Sequence, residues 1–344
     1  MVVQVRNESV GDDPSEQPAA EETEGEDTEV IGDPLNTTDA EIGTHSRRVA
    51  VELRISEILE EQKELQGPQG FEETISGASI IQEWQGRDPN HPSADFFRRE
   101  LLPDGKILVI VGDFKGKGVE IPAGQETDAG QWKYDGGEIV CTLHKRLTSS
   151  RGLDTVNKPD DAIRLIDNIL NEKPGGTGPD MLDGRFFVMT ALVIDPSTRT
   201  VEGSVYGGFP TVFIREPDGK IQAIKSEGPP MGIFPLEECP VSSFSNLPTR
   251  TEILLMTDGL TDVPLPGRLN SYGLSQEAGD LLGAEDNDFF KSASVNDTTA
   301  ADIGREAREN LFSSDSSKET SLPRLVELAK ESRRDDWGYV RISL

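Results

Sequence analysis

Ile107-Leu108-Val109-Ile110-Val111-Gly112-Asp113 is an unbroken apolar run that stops on a carboxylate. Introduced by the turn residues Pro103-Asp104-Gly105, it reads as a buried strand. A second run, Ile253-Leu254-Leu255-Met256-Thr257-Asp258-Gly259, ends the same way. A third carboxylate pair, Asp335-Asp336, opens the last apolar stretch and follows Arg333-Arg334. A carboxylate at the end of a buried strand is held rigidly, with its oxygens at a rim. Several of them at one rim repel strongly unless a cation sits between them. Taken singly, each piece has a plainer reading: Asp258-Gly259 as a turn, Asp335-Asp336 as a solvated strand start. The combination points to a metal centre.

Outward from these runs the chain alternates. Strands are expected over 75–84, 106–111, 185–194, 200–206, 211–215, 220–224, 252–256 and 338–344, most of them joined as hairpins. The turns Asp195-Pro196-Ser197-Thr198 and Pro217-Asp218-Gly219 separate consecutive strands. Helices are expected over 160–170 and 322–331, with a further one starting at Glu138 and running to about Leu147. Strands dominate and helices are grouped between them. That is an α+β pattern, unlike the regular alternation of a parallel doubly wound sheet.

Residues 1–45 form an acidic tail with almost no basic residue and no aromatic, expected to be disordered. Residues 46–68 read as a helical linker stopped by Gly67-Pro68, able to pack on its own domain, to dock or to dimerise. Gly124–Gly137 is a polar, glycine-rich insertion.

With 34 basic against 63 acidic residues, the net charge is −29. Such a surface repels nucleic-acid backbones and anionic membranes, so neither is expected as a partner. No apolar run reaches the length of a membrane span, and the first residues lack the pattern of a secretory signal. Two cysteines, Cys141 and Cys239, make neither a disulfide framework nor a zinc site, which fits a reducing cytoplasm. Only three histidines occur, so any metal site rests on oxygen donors and suits Mg²⁺, Mn²⁺ or Ca²⁺.

At this point the residues resemble a known family, the SpoIIE/RsbU-like branch of the PPM (PP2C-type) serine/threonine phosphatases. The carriers are Ser93-Ala94-Asp95-Phe96-Phe97, Asp113-Phe114-Lys115-Gly116-Lys117-Gly118, Phe187-Val188-Met189-Thr190 with Asp195-Pro196, Tyr206-Gly207-Gly208-Phe209-Pro210, Gly228-Pro229-Pro230-Met231-Gly232, Met256-Thr257-Asp258-Gly259-Leu260-Thr261-Asp262 and Asp335-Asp336-Trp337-Gly338. The similarity runs from about residue 70 to the end. It implies a phosphatase domain over 69–344, built as a four-layer αββα sandwich of two mainly antiparallel sheets flanked by helices. It implies two divalent ions, Mn²⁺ or Mg²⁺, with Asp113 bridging both and the Phe114 carbonyl also binding. Asp258 and Asp335 would complete the other ion, Asp95 would hold a metal-bound water, and Asp336 would be a neighbour. Asp113 and Asp258 are then the catalytic pair. The implied substrate is phosphoserine or phosphothreonine on a protein, in this branch often an anti-sigma-factor antagonist, hydrolysed by a metal-activated water.

The departures are specific. Lys115 stands where the family has Ser, Phe209 where it has His, and Ser93-Ala94 where it has two glycines. The Pro122-Ala123-Gly124 segment interrupts the usual helix. They bear on substrate choice and regulation, and they leave a second reading open: a pseudophosphatase that keeps the fold as a protein-binding module. A two-metal nuclease also needs clustered carboxylates, but the −29 charge opposes it.

Overall fold

In the computed structural model, which describes residues 39–87, 89–114, 136–150, 152–171, 186–207, 211–224, 228–232, 236, 239–269, 275–282 and 300–344, the run ending on Asp113 is a fully interior strand. The chain divides into two units, Met1–Ile42 and Gly43–Leu344. Of the first, only the opening turn of helix α1 (Asp39–Gln66) is described.

Two antiparallel sheets form the second unit. The five-stranded sheet runs β3 (Asp95–Leu101), β4 (Ile107–Phe114), β5 (Phe187–Asp195), β6 (Thr200–Tyr206) and β9 (Ser242–Phe244). The six-stranded sheet runs β1 (Gly70–Ile75), β2 (Ala78–Gln85), β13 (Trp337–Ser343), β10 (Glu252–Met256), β7 (Thr211–Arg215) and β8 (Ile221–Ile224). A small hairpin joins β11 (Pro264–Leu269) to β12 (Ser275–Glu277). The helices are α2 (Gly136–Ser149), α3 (Pro159–Asn171), α4 (Asp258–Thr261), α5 (Ala278–Leu282), α6 (Ala300–Leu311) and α7 (Leu322–Ser332).

Strand alternation sets the layers, because successive side chains point to opposite faces. In β4, Ile107, Val109 and Val111 enter the cluster between the sheets, while Leu108 and Ile110 face outward onto Ile139, Leu143, Ile163 and Ile166 of α2 and α3. In β10, Ile253 and Leu255 join the central cluster. Leu254 and Met256 meet Leu260, Leu311 and Leu325 on the other side. The result is helices, sheet, sheet, helices: a four-layer αββα sandwich, as the resemblance implies and within the α+β class that the sequence pattern indicates. Each fully buried Ile or Leu contributes about 1.5–3 kcal/mol.

Three sequence expectations differ in detail. Residues 75–84 are the end of one strand and most of the next. Ser76 and Gly77 both take positive φ, 49° and 89°, which suits a two-residue hairpin turn. Strand β3 was not anticipated, because Arg98, Arg99 and Glu100 break its apolar pattern. The helix before the domain begins at Asp39, inside the expected tail. Its buried face, Ile55, Ile58, Leu59, Gln62 and Gln66, repeats at helical spacing. Lys115, Lys117, Phe209 and residues 124–135 of the insertion lie outside the described residues. Among those described, no helix is long and apolar enough to cross a membrane.

Candidate metal centre

Register brings the aspartates together. In the five-stranded sheet, Asp95 and Asp113 are direct cross-strand partners at one end of β3 and β4. In the six-stranded sheet, antiparallel pairing of Met256 with Tyr339 sets the end of β10 beside the start of β13. That places Asp258 near Asp335-Asp336. Gly259 makes the approach possible, because a Cβ there would stand 1.7 Å from the Asp336 carbonyl oxygen.

Asp95, Asp113 and Asp258 each offer a carboxylate oxygen, and the three lie within 4.8 Å of one another. Asp335 stands just outside this group. It is close enough to raise the pKa of both Asp113 and Asp258, and it lines an adjoining cavity of about 330 Å³ with Gly259, Asp262, Glu277 and Arg334. The Phe114 ring is buried and stacks on Phe187 at 4.1 Å, while its N–H donates to the Ala94 carbonyl at 3.3 Å.

The electrostatics follow from crowding. Burial, then Asp113, Asp336 and Asp258, push the Asp95 carboxyl well above the ordinary carboxylate range. Burial, then Asp258, do the same to Asp113. Asp258 is pushed up to about 7 by burial and by Asp335 and Asp262. Like charges directly opposite each other on paired strands are destabilising. Divalent cations remove that penalty. One atom argues that the residues fit such ions. Asp95 Oδ2 accepts from Thr257 Oγ1 at 3.0 Å, but among the described residues the buried Asp95 Oδ1 has no hydrogen-bond partner. A buried acceptor left open is costly unless something occupies it. An all-carboxylate donor set matches hard divalent ions.

The family profile described as Stage II sporulation protein E (SpoIIE) matches residues 139–310, half of the chain. The chain belongs to the SpoIIE family. The matched span of this SpoIIE-family protein contains Asp258 but not Asp95, Asp113 or Asp335. No curated protein sequence matches it. Its structural neighbours include RsbX in complex with magnesium, at 13% identity and a TM-score of 0.46, covering 80% of this chain and 99% of RsbX. The SiaA PP2C domain of Pseudomonas aeruginosa is 13% identical with a TM-score of 0.49, covering 89% and 99%. The PP2C phosphatase domain of Bacillus subtilis SpoIIE, with a fragment of its regulatory domain, is 16% identical with a TM-score of 0.47. That match covers 78% of this chain and 63% of that one.

Three positions around the centre carried little signal in the sequence. Thr257 is a polar residue closing an apolar run. Asp336 is indistinguishable by type from Asp335. Gln62 sits on the buried face of α1, its amide donating to the Ser93 carbonyl at 2.6 Å and accepting from the Ser93 N–H at 2.9 Å. Only the i, i+4 spacing of Gln62 and Gln66 on an otherwise apolar face could have marked the last.

Proposed function

We propose that this chain is a metal-dependent protein phosphatase that hydrolyses phosphoserine or phosphothreonine on a partner protein. The observation that carries the reading is the meeting of Asp95, Asp113 and Asp258 within 4.8 Å, with a buried oxygen of Asp95 that has no hydrogen-bond partner among the described residues.

In this reading Asp113, the Phe114 carbonyl, Asp258 and Asp335 would hold two divalent ions, Mn²⁺ or Mg²⁺. Asp95 would orient a water held at the ions. When bound, the ions supply an acidified water and positive charge for the phosphoryl oxygens. The protein's own part is positional. Strand pairing fixes Asp95 opposite Asp113, and the Gly259 contact fixes Asp258 against the start of β13. Holding the reacting groups in register is a large part of what catalysis needs. A phosphorylated anti-sigma-factor antagonist is the proposed substrate class, in a cytoplasmic signalling pathway. Cys141 and Cys239, both free thiols, suit that compartment.

The test is release of phosphate from a phosphoserine peptide and from p-nitrophenyl phosphate, with and without Mn²⁺, for the native chain, Asp113→Asn and Asp258→Asn. Mn²⁺-dependent release that both substitutions abolish supports the enzyme. No release with any metal, together with no metal binding by calorimetry, leaves a protein-binding module instead.

A further inference from the structure

Asp336 is a buried carboxylate, 4% exposed, lying outside the group of three clustered aspartates, and both its oxygens accept from backbone. Its Oδ1 accepts from the Arg87 N–H at 2.6 Å and its Oδ2 from the Ala94 N–H at 2.7 Å. These donors lie 249 and 242 positions away in the chain and bracket the segment that leads into β3. The same segment is held at other points. Gln62 takes both backbone groups of Ser93, and the Asp95 N–H donates to Ser93 Oγ at 3.0 Å. The Ala94 peptide is therefore gripped on both sides, its N–H by Asp336 and its carbonyl by the Phe114 N–H. Ala94 precedes Asp95, and Asp336 follows Asp335.

We propose that Asp336 is a positioning residue for the metal centre: its carboxylate clamps the Arg87–Ala94 segment so that Asp95 faces Asp113 and Asp258. This rests on reading those three aspartates as metal-holding. A carboxylate whose two oxygens each accept a short charge-assisted bond from main chain defines the path of that main chain in a way a neutral side chain cannot. Groups one step removed from a metal commonly set its affinity, and altering them costs about 10–100-fold.

The experiment is Mn²⁺ titration calorimetry on the full chain, with thermal melting of each variant in the absence of metal. Asp336→Asn keeps one oxygen but turns an amide NH₂ toward a backbone donor. It should weaken Mn²⁺ binding by about 10–100-fold with unchanged stoichiometry. Ser93→Ala, which frees the Asp95 N–H within the same segment, should weaken it in the same direction and serves if Asp336→Asn does not fold. Ile166→Val, in the outer core, should lower the melting temperature and leave Mn²⁺ affinity alone. Native affinity in either folded variant of the segment overturns the proposal. So does an equal loss in Ile166→Val, which would make the effect one of global stability. Absence of Mn²⁺ binding by the native chain is a different result and defeats the metal reading itself.

Discussion

Thr257 Oγ1 donates to Asp95 Oδ2 at 3.0 Å, linking residues 162 positions apart and belonging to different sheets. The same hydroxyl accepts from the Gly338 N–H at 2.9 Å, so it also ties the end of β10 to β13. One small side chain thus touches three strands around the aspartate group.

Replacing Thr257 with Val keeps the shape and removes both bonds. The Gly338 N–H and one Asp95 oxygen are then buried without partners, each at about 1–3 kcal/mol. The melting temperature should fall, and Thr257→Ser should recover most of the loss. Melting curves of the two variants side by side check this. Native stability in Val with the loss confined to Ser would show that the methyl group, not the hydroxyl, matters.

Asp258→Asn should move two quantities in opposite directions. Without metal it removes a charge from a crowded, buried group, so the melting temperature rises. With Mn²⁺ the native chain gains about 2.7 kcal/mol at a hundredfold excess over its dissociation constant, and the variant gains much less. Differential scanning calorimetry with and without Mn²⁺ reads both.

The pH dependence of the metal-free protein has a definite sign. Asp258 sits at about 7 when folded, above the ordinary carboxylate value near 4, and Asp95 and Asp113 are also raised. The folded state then binds more protons than the unfolded state between those values, so stability falls as pH rises from about 4 to about 7. Asp195 is lowered to about 2 by hydrogen bonds from Ser197 and Thr198, and its contribution is lost only as pH falls below about 4. Urea midpoints at stepped pH should show the decline, and saturating Mn²⁺ should remove it.

Gly259→Ala forces a Cβ to within 1.7 Å of a main-chain oxygen. Neither partner is a flexible side chain, so β13 or α4 must shift. A cost at or above the usual 1–3 kcal/mol of overpacking is expected, together with loss of the proposed phosphatase activity. Activity and melting temperature measured on the same preparation would show it, and native values for both would contradict the close approach.

Much of this was legible in the residues. The apolar runs before Asp113 and Asp258 mark interior strands because burial on both faces demands unbroken apolar side chains. Glu252–Met256 and Thr200–Tyr206 fall where the pattern puts them. β3 escaped because its second half, Arg98-Arg99-Glu100, carries charges that find ion-pair partners in Glu73 and within the strand itself. Without that strand, the pairing of Asp95 with Asp113 could not be read, since register is a property of two segments and neither encodes it alone. Asp335 and Asp336 share a chemistry, and only three-dimensional neighbours give them different surroundings. The same holds for Gln62, whose partner Ser93 lies 31 positions on.

The aspartates are contributed by both halves of the sandwich, Asp95 and Asp113 by strands of one sheet, Asp258 and Asp335 by the residues that follow β10 and precede β13 of the other. Any sliding of one sheet over the other therefore pulls the group apart before it disturbs either sheet's own ladder. An ion seated among them would act as a rivet through the rim, so amide exchange at this end of the two sheets should slow on metal addition while the opposite end keeps its native rate.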